Sequence, residues 1–416
     1  MFDPYAGFQS CVLENGLTVY ASQWEGRLWE HFGFVVHSGA FSDPLGLEGM
    51  AHFVEHLLSK NVSLPYEELK VFFKQYGGNV RFGSTIYATT SYSFFVPIQQ
   101  AVLAQAFSLF AEMLIGAKLE NLVESEREVV KDEFTKKYDK DFILDIELRE
   151  RRMLYHDCWL GRLVRSFGFP ESVDRITVAD LQSFYDQHYV PANISVVAVG
   201  GLSLDEVVNI ILESPFGMQK VGQRNPPIVP LVELALPLEN RYEEDLSEHF
   251  KKPAKNGIYF SAARIPMSIS PAVLSLVSMA LDKLLRRELR NKRSWTYGSS
   301  SSRTNYQCCY QFNIKCDAFN VSALNEIEAV VNDCIVAIDD NELLEEMRTR
   351  KLATFSMFDV SGGDVCNYAM ADVGHFDKII SAKEMMAANQ SVTMEDIREV
   401  LSYLRPERRW TKISHP

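Results

Sequence analysis

The chain opens with short apolar alternations. In "SCVLENGLTVYAS" two such runs flank Asn15-Gly16, which predicts a β-hairpin. "EHFGFVVHSGAFSDP" reads as a further strand that runs into turn residues. The period then changes. One helix is predicted over "GMAHFVEHLLSK" and another over "SLPYEELKVFFKQYGG", with Pro65 near its start and Gly77-Gly78 past its end. "NVRFGSTIYATTSYSFFVPI" predicts a strand pair, and "QQAVLAQAFSLFAEMLIGA" a half-buried helix. "NLVESEREVVKDEFTKKYDKD" is a charged helix with one apolar stripe, "TVADLQSFYDQHY" a short capped helix and "NISVVAVGG" a buried strand.

Pro, Gly and polar residues cluster in "PFGMQKVGQRNPPIVPLVELALP". This predicts two domains, 1–214 and 237–416, joined by a linker over 215–236. Beyond the linker the order of elements recurs. A strand, "NGIYFSAARI", precedes a long helix, "SPAVLSLVSMALDKLLRREL"; strand-like "YGSSSSRTNYQCCYQFNIKCDA" and further helices follow. The expected fold class is α+β: two homologous α/β-sandwich domains, each an antiparallel-rich sheet flanked by helices.

Composition narrows the functional classes. At 416 residues the chain exceeds one ordinary core, and 47% hydrophobic with 23% charged residues is the balance of a soluble globular protein. A net charge of -13 speaks against nucleic acid or an anionic membrane as partner. No apolar run is long enough to span a bilayer, and the start has no basic or apolar leader pattern, so neither a membrane span nor a signal peptide is expected. The seven cysteines are odd in number and scattered, which fits the cytoplasm.

The candidate chemistry lies in "GMAHFVEHLLSK". His52, Glu55 and His56 fall within five residues of an apolar helix, in a chain of nine histidines. Polar groups on a core face are destabilising unless something satisfies them. Residues i and i+4 share a helix face, so His52 and His56 can grip one zinc ion, with Glu55 close enough to meet a metal-bound water. This is the inverted zincin pattern H-x-x-E-H. A third ligand must come from elsewhere. In "VESEREVVKDEF" Glu126 and Glu133 are two turns apart on the face that carries Val123, Val130 and Phe134. Glu133 is assigned as third ligand and Glu126 as a supporting group that hydrogen-bonds a histidine ring N–H. His31, His37, His156, His188, His249 and His375 show no ligand spacing, and Cys308, Cys309 and Cys316 read as core thiols in a strand pattern.

With these residues in view, the chain resembles the pitrilysin family of zinc metallopeptidases, with their pitrilysin/LuxS-like domains, in particular its half-size members such as the mitochondrial processing peptidase subunits. "LENGLTVYAS", "VVHSGAFSDP", "GLEGMAHFVEHLL", "ESEREVVKDE", "FGFPESVDRITVADLQSFYDQHYVPANISVVAVGG" and "LRNKRSWTYG" stand in family order. The resemblance implies one Zn2+ per chain and a third ligand about 77 residues past the second histidine, which is the spacing from His56 to Glu133. It implies that Arg290 and Tyr297 hold substrate and stabilise the transition state. It also implies that a peptide pairs with the strand after the Gly-Gly turn, where "GGNVRFGST" departs from the family by placing Arg81 and Phe82. Ser59-Lys60-Asn61 stands where the family has Phe-Lys-Gly and reads as a loop variation.

The implied activity is zinc-dependent endopeptidase cleavage of oligopeptides or unfolded segments in a closed chamber, with Glu55 as general base. A homodimer is expected, with a heterodimer of homologous subunits trimming a precursor peptide as the alternative. Rival classes are a non-catalytic core-type subunit that retains the fold and a zinc-stabilised binding module.

Overall fold

The Asn15-Gly16 turn closes the first hairpin as expected: Leu13 N donates to Leu17 O at 2.9 Å and Gly16 adopts φ +89°. A computed structural model describes residues 3–61, 63–138, 141–156, 158–162, 166–217, 222–225, 235–245, 257–319, 321–356 and 361–416. In chain order the first elements are β1 (Phe8–Val12), β2 (Thr18–Gln23), β3 (Trp29–Val36), α1 (Met50–Leu58), α2 (Tyr66–Gln75), β4 (Asn79–Arg81), β5 (Thr90–Pro97), α3 (Gln100–Leu114) and α4 (Val123–Lys137). Next come α5 (Asp141–Tyr155), α6 (Trp159–Arg162), α7 (Pro170–Arg175), α8 (Val178–His188), β6 (Ile194–Gly200) and α9 (Leu204–Glu213). The later elements are β7 (Arg241–Asp245), β8 (Gly257–Pro266), α10 (Pro271–Leu285), β9 (Thr296–Asn305), β10 (Cys309–Ala318), α11 (Leu324–Val336), α12 (Asn341–Ser356), α13 (Gly362–Phe376), α14 (Ala382–Ser391), α15 (Met394–Tyr403) and β11 (Arg409–His415). Among the described residues no helix is long and apolar enough to cross a membrane.

The chain forms two units, each with its own sheet. The first sheet has the order β1-β2-β6-β3-β5-β4 and the second β7-β11-β8-β10-β9. In each, one parallel pair (β2 with β6, β7 with β11) leads into a run of antiparallel pairs. The recurrence of element order in the sequence is therefore a recurrence of topology, with β1 as an addition to the first sheet.

The division of the sequence differs from the expected 1–214 and 237–416. The first unit is Met1–Asp139, Arg165–Val229 and Asp359–Ala382; the second is Lys140–Val164, Pro230–Phe358 and Lys383–Pro416. Residues 218–221 and 226–234 of the expected linker lie outside the described residues. The reason for the exchange is burial. Val35, Val197 and Val199 are buried but lie outside the main apolar cluster, on the sheet face that α13 covers. That helix buries Val365, Cys366, Ala369, Met370 and Val373, a stripe at helical spacing. Gly33 permits the contact, since a Cβ there would lie 2.1 Å from Met370 Sδ. Likewise α5 packs on β8 and β11, and Tyr155 Oη donates to Gln311 Oε1 at 2.7 Å.

In the first unit the main core lies on the other face of the sheet. Phe34, Phe94 and Phe110 meet with centroids 4.6–5.9 Å apart. Strand β5 alternates strictly, burying Tyr92, Phe94 and Val96. Into this core α1 sinks Met50, Ala51, Phe53, Val54, Leu57 and Leu58.

Glu30 is a fully buried carboxyl in β3. Its Oε2 accepts from Leu202 N at 2.9 Å, and its Oε1 has no hydrogen-bond partner among the described residues. Burial pushes its pKa up to about 8. The folded chain therefore holds this proton more tightly than the unfolded chain. The associated stability is complete below the ordinary value of 4.5 and is lost as pH rises through about 8. Glu30→Gln is expected to raise the thermal midpoint by several degrees at pH 8.5, where linkage to the shift from 4.5 to about 8 amounts to as much as roughly 4 kcal/mol, and to change it much less at pH 5. Thermal unfolding followed by circular dichroism at the two pH values checks this.

Candidate metal centre

The entry of α1 is fixed before its histidines are. Gly49 holds φ +97°, and a Cβ there would lie 2.3 Å from Phe167 O. Gly49 has no side chain with which to cap the helix. Asp43 supplies the cap from the preceding loop: its Oδ2 accepts from Gly49 N at 2.7 Å and its Oδ1 from Ala51 N at 2.8 Å. The apolar stripe of α1 then faces the core, and His52 and His56 share the side that meets α4.

Helix α4 is held by Arg127, whose buried guanidinium donates to Ile176 O at 2.9 Å and to Val173 O. The anchored helix brings Glu133 over the two imidazoles. His52 Nε2 and His56 Nε2 are 3.2 Å apart; Glu133 Oε2 is 3.6 Å from the first and Oε1 3.6 Å from the second. Donors bound at about 2.0–2.1 Å in a tetrahedron stand roughly 3.3–3.4 Å from one another. The two 3.6 Å approaches use different oxygens of Glu133, and one donor atom from each of the three side chains lies within 4.8 Å of the others, somewhat wider than that spacing but compact enough to close on one ion. Burial pushes the pKa of His52 down to about 3, with His56 adding to the effect, so the imidazole is neutral at physiological pH, the form that ligates. Two imidazole nitrogens with one carboxylate are a donor set suited to catalytic zinc.

Glu55 lies beside this set without joining it. Its Oε2 accepts from Thr85 Oγ1 at 2.7 Å. Thr85 in turn lies 3.3 Å from Thr90 Oγ1, which donates to Ser38 O at 2.9 Å. Burial raises the pKa of Glu55, while the Thr85 hydroxyl pulls it back down. Gly83 allows the loop to pass this close, since a Cβ there would be 2.3 Å from Glu55 Oε1.

Glu126 is buried next to His56, but not as expected. Its Oε2 is 3.5 Å from His56 Nδ1 and makes no hydrogen bond among the described residues. Its Oε1 accepts from Lys60 Nζ at 2.7 Å. Lys60 is therefore part of the centre rather than a loop variation. Its ammonium balances a carboxylate that α4 would otherwise bury alone. Lys60 and Thr85 are the residues that sequence reasoning missed. An inward Glu126 with no assigned cation was the available signal for Lys60; Thr85 left none.

The other site residues are distributed. Phe82 packs on Tyr66 with centroids 4.7 Å apart and lines a cleft of about 660 Å³ together with Glu55, His56 and Glu133. Arg81 is exposed and lines a different cleft with His31 and Asp364. Strand β4 is an edge of its sheet, so its outer backbone is open for pairing among the described residues. Arg290 and Tyr297 belong to the second unit. Both are exposed, and the Tyr297 ring lies 4.9 Å from that of Phe319. Of the histidines set aside as structural, His37 lies 2.9 Å from Ser195 Oγ and His188 is buried against Phe184; His249 lies outside the described residues.

Two family models match. The one described as Insulinase (Peptidase family M16) covers residues 31–157, which hold the whole metal set, and the one described as Peptidase M16 inactive domain covers residues 175–350. The chain carries M16-family domains over these two stretches. Zinc protease PqqE of Helicobacter pylori is 25% identical over 293 residues, covering 69% of this chain and 62% of that protein. Probable zinc protease PqqL of Escherichia coli is 28% identical over 187 residues, covering 43% and 20%. The matches span less than two thirds of the length of these curated relatives. Among solved structures, a protease from Helicobacter pylori superposes with a TM-score of 0.80 at 20% identity over 100% of both chains. Pitrilysin superposes with a TM-score of 0.77 at 16% identity over 98% of this chain and 45% of its own. These likenesses establish the M16 peptidase fold for both halves of the chain.

Lys60→Met removes the cation that balances Glu126 beside His56. It is expected to raise the zinc dissociation constant about 10–100-fold, as measured by competition with a chelating dye, whereas Lys60→Arg retains most of the affinity.

Proposed function

We propose that this chain is a zinc-dependent endopeptidase that hydrolyses oligopeptides or unfolded peptide segments. The observation that carries this reading is the convergence of His52, His56 and Glu133, whose donor atoms lie within 4.8 Å of one another, with the half-buried Glu55 on the same helix as the histidines. Zinc bound there would polarise the scissile carbonyl and acidify the attacking water. The residues of the chain do the rest. Glu55, oriented by Thr85, takes the proton from that water and passes it to the leaving amine. Its raised pKa suits a group that must accept a proton and then release it. The open edge of β4 offers backbone donors and acceptors to an extended substrate, and Phe82 gives that substrate an apolar contact in the same cleft.

One zinc per chain is supported by the second unit, where α10 occupies the topological place of α1. Its sequence, "PAVLSLVSMALDKLL", has no histidine. In this reading the second unit contributes Arg290 and Tyr297 as donors to substrate and to the developing oxyanion. A homodimer then encloses the peptide, with a heterodimer of homologous subunits as the alternative assembly. The seven unpaired cysteines support a reducing compartment, the cytoplasm. The intact ligand set with its base favours this reading over a non-catalytic core-type subunit or a zinc-stabilised binding module.

Glu55→Gln is expected to retain one zinc per chain and to lose peptide cleavage by at least about 10²-fold in kcat, the lower range for a general base. Metal analysis alongside a quenched-fluorescence peptide assay separates the outcomes. Cleavage at the parental rate would remove Glu55 from the mechanism. Chelation should abolish activity in the parent, and added zinc should restore it.

A further inference from the structure

The cleft beside His56 and Glu133 gathers basic side chains as well as carboxylates. The whole sequence has 55 acidic against 42 basic side chains, yet Lys60, Lys70 and Lys74 all line this one cleft. Its carboxylates are already engaged: Glu133 beside the histidines, Glu126 with Lys60, and Glu55 with Thr85. The other two lysines are held by exposed contacts or none, the Lys70 ammonium lying over the Tyr66 ring at 3.9 Å. Lys70 Nζ contacts Glu67 at 3.0 Å, but that partner is 79% exposed, and such a surface pair contributes little. Lys74 is exposed and has no ion-pair partner among the described residues.

The spacing of these groups is specific. Tyr66, Lys70 and Lys74 stand four residues apart on α2 and so form a row along one helix face, with Tyr66 packed on Phe82. Lys70 and Lys74 are about 6 Å apart along the axis at 1.5 Å per residue. Alternate side chains of an extended strand point the same way about 6.5–7 Å apart. A peptide laid against the β4 edge, which follows α2 through the Gly77-Gly78 turn, would therefore present side chains i and i+2 to the two ammonium groups.

We propose that this row is an acidic-residue subsite, and that the preferred substrates are peptides with Asp or Glu at two alternate positions on one flank of the scissile bond. The proposal rests on the peptidase reading above, but its test does not require turnover. The zinc-loaded Glu55→Gln protein is titrated with fluorescein-labelled extended peptides in which a Glu pair at i and i+2 is walked along the sequence, and with the matching Gln and Lys peptides. Fluorescence anisotropy should show one register in which the Glu peptide binds about fivefold tighter than its Gln counterpart at 50 mM salt. This corresponds to two exposed pairs of about 0.5 kcal/mol each, and the margin should shrink at 500 mM salt. Adding Lys70→Glu and Lys74→Glu should reverse the order in favour of the Lys peptide. Equal affinity in every register, no binding of any peptide, or a Glu preference that survives the double substitution would each overturn the subsite. Cleavage by the parent chain is followed in parallel. If the parent cleaves no peptide while the charge preference in binding holds, the peptidase reading fails and the subsite stands. If it cleaves Glu and Gln peptides with equal kcat/KM, the subsite fails and the peptidase reading stands.

Discussion

Everything in the candidate centre depends on two helices being pressed together with polar groups between them. Helices α1 and α4 could meet through an apolar seam, as most helix pairs do. Instead their contact holds two imidazoles, two carboxylates and an ammonium. Such a cluster is tolerable in a protein interior only when its charges are mutually balanced. Lys60 balances Glu126, and a divalent cation is the natural counterpart of Glu133 with the two imidazoles. The supports lie outside the cluster, in the Asp43 cap and the Arg127 anchor. Both are buried polar contacts that set helix position.

The two sheets show how the same topology serves different ends. In both units a helix follows the strand that crosses the sheet antiparallel, α1 after β3 and α10 after β8. The first helix carries polar groups on the side that meets α4 and is short; the second is apolar over most of its length and runs on into π-helical turns at Arg286–Lys292. One copy gives up apolar burial to a polar cluster, and the other retains it for packing.

Much of this was legible in the sequence because the relevant signals are local. Asn15-Gly16, Pro65, the Gly77-Gly78 stop and the alternation of β5 each report a conformation within a few residues. The spacing of His52 and His56 reports a shared helix face in the same way. Glu133 was also accessible, since an inward carboxylate on a striped helix has few explanations. The remainder depends on contacts distant in sequence. Lys60 finds Glu126 across 66 residues, and Thr85 finds Glu55 through an irregular loop that no periodicity describes. Arg81 and Phe82 are adjacent, yet they line different clefts, and an expectation that treated them as a unit could not separate them. The domain boundary was read from composition, which is blind to a helix that leaves one half of the sequence to cover the sheet of the other.

That last feature, α13 over β3 and β6, bears on how the protein comes into being. The sheet against which α1 packs lacks one of its layers until residue 376 has been made, long after its own strands have left the ribosome. Through that interval Val35, Val197 and Val199 have no covering layer, and the nascent chain offers a valine-rich sheet face to its surroundings. Biosynthesis thus sets a natural delay on maturation. The unit that holds His52, His56 and Glu133 reaches its final packing only after residue 376 has been made, when much of the second unit has been made as well.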